Sequence, residues 1–154
     1  MDARTTETAQ SLAEGCAQVM WADDRASQGL GMVIERVAPG EAVLSMTIRE
    51  DMTNGHGICH GGFIFTLADS AFAFACNTYD QRTVAQHCAV TFLRPGRRGE
   101  RITAHAVERT REGRSGIYDV TVRDGGGEVV AEFRGHSRTI SGSLLEPASA
   151  HEKE

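Results

Sequence analysis

From His60 to about Tyr79 the chain carries phenylalanine, leucine, alanine and cysteine on nearly every side of a predicted helix, with Asp69 as its single charge. A helix with no polar face belongs inside a protein. It does not read as a membrane span, because its apolar stretches, 63–68 and 71–76, are short and Asp69 interrupts them. A chain of 154 residues must therefore wrap most of the rest of itself around this segment.

Beyond this helix the chain reads as strands only. Thr83–Leu93, Arg101–Thr110, Gly116–Arg123 and Glu128–Ile140 are separated by Pro95-Gly96, Gly113 and Gly125-Gly126-Gly127. In the last of them Val129, Ala131 and Phe133 are expected to face one way, with Glu132, Arg134, His136 and Arg138 facing the other. Before the helix, Ala42, Leu44, Met46 and Ile48 alternate with Val43, Ser45, Thr47 and Arg49, a half-buried strand. Gly31–Val37 is its expected partner across a Pro39-Gly40 turn. An N-terminal helix over about Thr6–Ala22 is expected, with Ser11 and Glu14 as a capping box. These elements make an α+β domain, antiparallel hairpins around one central helix. A single domain over 1–140 and a frayed polar tail over 141–154 complete the expected organisation.

Composition narrows the partners. A formal net charge of −5 argues against nucleic acid and against an anionic membrane surface. Met1-Asp2-Ala3-Arg4-Thr5 lacks the layout of a secretory signal, and Cys16, Cys59, Cys76 and Cys88 are scattered without a CxxC pair. Reduced thiols in a cytoplasmic protein are expected. The charge is unevenly spread: seven arginines stand against three glutamates between Arg94 and Arg114, a pattern suited to a small anionic ligand.

The central helix carries the chemistry. Asp69 among Leu67, Ala68 and Ala71 either bonds Ser70, a backbone amide or a neighbouring subunit, or is a working carboxylate with a raised pKa. At the helix start, His60-Gly61-Gly62 leaves N–H groups unpaired at the positive end of the dipole, a setting that suits a developing oxyanion; equally, the glycines could simply relieve crowding. Eight residues along one helix span about 12 Å, too far for both to act on one carbonyl. If both are catalytic, Gly61 of one protomer works with Asp69 of another, in a twofold dimer. Cys59, His60 and His56 suggest a metal site at first sight, but adjacent Cys59 and His60 do not easily ligate one ion and no third ligand sits at metal-site spacing, so no metal is expected.

Asn54-Gly-His-Gly-Ile-Cys-His60-Gly61-Gly62, with Asp69 after six further residues, strongly resembles the hotdog-fold acyl-CoA thioesterases of the phenylacetic acid degradation type. The resemblance continues through Ala71–Asn77 and Val90–Gly96 and covers about residues 28–140. It implies a curved antiparallel sheet wrapped around the apolar helix, an edge-to-edge homodimer and commonly a homotetramer. It also implies hydrolysis of acyl-coenzyme A, (hydroxy)phenylacetyl-CoA being the first expectation and other aromatic or medium-chain acyl groups remaining open. No cofactor is implied, since coenzyme A belongs to the substrate. By matching position, Gly61 polarises the thioester carbonyl through its N–H, Asp69 of the opposing protomer attacks or acts as base, and Asn54 positions water or thioester. His60 either shapes the helix start or transfers a proton. Arg94, Arg97, Arg98, Arg111 and Arg114 are candidates for the phosphates of coenzyme A, against the alternative of solvated turns.

Two other functions fit a similar chain. A hotdog enoyl-thioester hydratase needs a histidine beside its acid, whereas Phe74 stands five residues after Asp69. A non-catalytic acyl-CoA binding protein would have no need of Asn54, Gly61 and Asp69 together.

Overall fold

The computed structural model describes residues 3–146. In chain order it contains α1 (Ala3–Asp23), α2 (Arg25–Gly29), β1 (Val33–Ala38), β2 (Glu41–Thr47), a 3-10 turn (Glu50–Met52), α3 (Gly61–Cys76), β3 (Thr83–Phe92), β4 (Arg101–Glu112), β5 (Ser115–Arg123) and β6 (Val129–Thr139). The six strands form one antiparallel sheet in the order β1-β2-β4-β5-β6-β3, curved around α3. This is the hotdog architecture expected from the sequence.

The sheet's inner face is built from alternate residues: Ala42, Leu44 and Met46 on β2, Ile102, Ala104 and Ala106 on β4, Tyr118, Val120 and Val122 on β5. Against it α3 sets Ile64, Leu67, Ala68, Ala71, Phe72 and Ala75, all buried. The alanines let the helix axis approach the sheet, while Phe72 reaches Tyr118 and Phe133 at ring-centroid distances of 5.6 and 5.9 Å. Where Phe72 crosses β6 the strand has Gly135, at which a Cβ would lie 2.7 Å from the ring. β-Bulges interrupt the registers at Ile34/Arg36, Ala85/His87, Glu108/Thr110 and Val122/Arg123, and bulges add bend and twist.

Several local expectations are corrected. Ser11 is not a cap, because α1 begins at Ala3 and runs through it; Glu14 instead accepts from Gln10 Nε2 at 3.0 Å. α2 is an addition to the expected elements: Asp24 ends the first helix and starts the second, its Oδ1 accepting the Ser27 N–H at 3.0 Å. Strict alternation along β6 fails at its start, where Val130 and Ala131 are both buried and Val129 is not. The shift between Val122 and Arg123 is the reason. At the start of the tail Asp80 Oδ1 accepts from Ser143 Oγ, Leu144 N and Leu145 N at 2.7–2.9 Å. The remaining tail, 147–154, lies outside the described residues.

No helix among the described residues is long and apolar enough to cross a membrane. Among the described residues β3 is an edge strand, paired only with β6. Val84 and Phe92 on it, and Leu93 beyond it, are 46, 50 and 59% exposed.

Candidate active site

The loop before α3 is pinned so that the helix starts at a defined place. Thr53 bridges to Cys59 and Ile58 to Arg97. Cys59 N donates to Gly96 O at 2.8 Å, and His60 N to Met52 O at 2.7 Å. His60 is then the N-cap: its Nδ1 accepts the Gly62 N–H at 2.9 Å. Phe63 N returns to His60 O at 3.0 Å. Gly61 N–H is left without an acceptor among the described residues, at the positive end of the helix. Of the two roles open for His60, the geometry supports shaping the helix start. His60→Ala is expected to lower stability by about 1 kcal/mol through loss of the cap, read as a shift in the urea midpoint.

Gly61 also answers a steric demand. A Cβ there would lie 2.8 Å from Phe92 Cζ, because the ring at the end of β3 rests over the first turn of α3. Beside this contact opens a cleft of about 440 Å³, walled by Asn54, Ile58, Gly61, Ile64, Phe92 and Arg94 among others. Asn54 Oδ1 is occupied by the His56 N–H at 2.9 Å, which leaves the Nδ2 donor free among the described residues. Phe92 is a member of the site that sequence reasoning misses; only the strand order, which brings the end of β3 across the helix start, reveals it.

Asp69 sits two turns further along α3 and is half-buried. Ser70 does not bond it, for Ser70 Oγ lies 2.9 Å from Ser27 Oγ. The one hydrogen-bond partner of the carboxylate among the described residues is Cys88 of β3, with Sγ 3.9 Å from Oδ1. Burial pushes the Asp69 carboxyl up, and the Cys88 thiol opposes this in part. Cys59 is buried, and burial also pushes its thiol up, which keeps it protonated and a poor nucleophile.

The five arginines do not gather in one protomer. Arg94, Arg97 and Arg98 lie near Gly61: Arg94 stands 3.6 and 3.7 Å from Asp124 and Glu128, Arg98 stands 3.4 Å from Glu50, and Arg97 has no ion pair among the described residues. Arg111 and Arg114 lie beyond the opposite end of α3, a helix about 24 Å long. Arg111 is occupied there, paired with Glu108 at 2.8 Å and stacked 3.6 Å over the Tyr79 ring. The sequence could not separate the two groups, since both flank glycine turns.

Residues 56–131 match the thioesterase superfamily. An Escherichia coli relative, acyl-coenzyme A thioesterase PaaI, is 41% identical over 128 residues, 83% of this chain and 91% of the relative. The chain belongs to the PaaI-type thioesterases. The solved structure of the E. coli PaaI protein from the phenylacetic acid degradation operon superposes with a TM-score of 0.86 at 40% identity, covering 88% of this chain and 98% of that one. A mutant of the phenylacetic acid degradation protein PaaI from Thermus thermophilus gives 0.71 at 40% identity over 74% and 97%. Membership makes this chain a thioester hydrolase.

Proposed function

We propose that this PaaI-type thioesterase hydrolyses aromatic or medium-chain acyl-CoA, (hydroxy)phenylacetyl-CoA first among them, at a site shared by two protomers. The observation that carries the reading is the unpaired Gly61 N–H at the wall of a cleft, with Asp69 of the same chain two turns beyond reach. The substrate class rests on the E. coli relative's name and its operon.

In this reading the thioester carbonyl accepts the Gly61 N–H, whose direction suits the negative oxygen of a tetrahedral intermediate. Asp69 of the partner subunit attacks the carbonyl carbon or takes a proton from the water that does. Asn54 holds water or thioester through its free amide N–H. The C–S bond then breaks and the sulfur takes up a proton to leave as the coenzyme A thiol. If water attacked, the free acid is formed directly; if Asp69 attacked, water then hydrolyses the acyl–Asp69 anhydride to the free acid and restores the carboxylate. Arg97, and Arg94 and Arg98 once they exchange carboxylate for phosphate, meet the nucleotide end. Arg111 and Arg114 would approach this site only from a partner subunit.

The exposed edge of β3 supports a site shared through pairing there. An edge strand with exposed Val84 and Phe92 is a surface that proteins normally cover, and a twofold axis beside it brings two helices together. Two such dimers would make the tetramer. The free thiols of Cys16, Cys59, Cys76 and Cys88 suit a reducing compartment, in keeping with a cytoplasmic enzyme.

The test is thiol release from phenylacetyl-CoA, hydroxyphenylacetyl-CoA and a straight-chain series. A kcat/KM of about 10⁴ M⁻¹s⁻¹ or more for an aryl-acetyl member is expected. Bound acyl-CoA with no thiol released from any member would replace the hydrolase by a binding protein.

A further inference from the structure

The Cys88 thiol approaches Asp69 Oδ1 to 3.9 Å, and a β-bulge brings it there. On β3, Ala85 stands opposite Ser137 and Cys88 opposite Gly135, two positions on the same, inner side of β6. Cys88 stands three positions after Ala85, an odd step that would put them on opposite faces of a regular strand. The bulge at Gln86 removes the mismatch and turns Cys88 toward α3. Gly135 presents no side chain there, the Phe72 ring fills its place, and Asp69, one turn before Phe72, meets the sulfur at 3.9 Å.

Other candidates for the role are engaged elsewhere. Ser70 bonds Ser27, and Thr66 Oγ1 donates to Gly62 O at 2.7 Å. No arginine or histidine among the described residues bonds Asp69. The titratable group that acts on it is Cys88 from β3, while Asp69 in turn raises the pKa of the buried Cys76 on its own helix.

We propose that Cys88 is a positioning residue for the catalytic carboxylate: its S–H holds Asp69 Oδ1 and leaves Oδ2 as the oxygen that acts on water or thioester. The consequence for catalysis rests on the function proposed above; the contact does not. Burial first, and the neighbouring carboxylate second, push the thiol up to about 11, so near neutral pH it is a proton donor and not a thiolate. A thiol is a weak donor. That weakness is useful here, because a hydroxyl or guanidinium would stabilise the anion further and strip it of basicity.

The experiment needs no substrate. The Asp69 carboxyl carbon, assigned by its absence from Asp69→Asn, is titrated by ¹³C NMR in the full-length wild type, in Cys88→Val and in Cys88→Ser. Valine fills the space and keeps it dry but donates nothing; serine keeps a donor. The midpoint should move to higher pH in Cys88→Val and stay at or below wild type in Cys88→Ser. If valine leaves it unmoved or lowers it, or if both variants move alike, Cys88 does not position Asp69. The acid limb of thiol release should show the same order. A shifted NMR midpoint in a protein that releases no thiol would uphold the contact and sink the hydrolase reading, so the two failures are told apart.

Discussion

Asp69→Asn is expected to lower turnover by about 10²–10⁴-fold while the protein folds and assembles as before. Asparagine has the same outline, so no void opens beside the half-buried side chain. It also removes a cost. Burial raises the Asp69 pKa in the fold above its value in the open chain, so the ionised carboxylate disfavours folding above that raised pKa, and the penalty is relieved as pH falls through it. A neutral amide carries no such penalty, and the thermal midpoint near neutral pH should be equal or higher. Activity has the opposite dependence in the wild type: it requires the ionised form and should fall as pH drops through the raised pKa. Thiol release and a melting curve on the same sample check both halves. Mixing Asp69→Asn chains with Gly61→Val chains extends the test, because only a site shared between protomers recovers activity in the mixed dimer.

Phe72→Ala should have the largest effect on stability, a loss of about 3–5 kcal/mol. Phe72 is 1% exposed and lies between Tyr118, Phe133 and the backbone of β6, so the void has no flexible neighbour to fill it. A urea titration reads the loss directly as a lower midpoint. The partner substitution probes the same fit from the strand side. Gly135→Ala should destabilise the wild type, whose ring stands 2.7 Å from the added carbon, and should be less harmful once Phe72 is alanine. Additive losses in the double variant would mean that the two positions are not coupled.

The central helix and the strands were legible because burial leaves a periodic trace. α3 has no polar face, and Ala42, Leu44, Met46 and Ile48 recur every second residue, each at most 1% exposed. Asn54, Gly61 and Asp69 stood out as candidates through the resemblance that their combined spacing carries. What escaped were features that depend on register or on the course of the chain in space. The bulge near Val130 breaks the alternation on which β6 was assigned. Asp24 serves two helices at once, and no pattern of hydrophobicity marks it. Cys88 reads as one more core cysteine until β3 is seen to lie beside α3. That Arg111 pairs with Glu108 and stacks on Tyr79, far from Arg94, is visible only in the folded chain.

The strand order also bears on how the chain is made. β3 leaves α3 directly in the sequence, yet its neighbour in the sheet is β6, with Thr83 opposite Thr139. A growing chain therefore has its most apolar helix finished long before the strands that cover it are complete. Pairings between such distant segments slow folding and prolong the exposure of sticky surface. Synthesis must run through β6 before β3 can join the sheet, so chaperones that shelter unfinished chains should matter most in that interval.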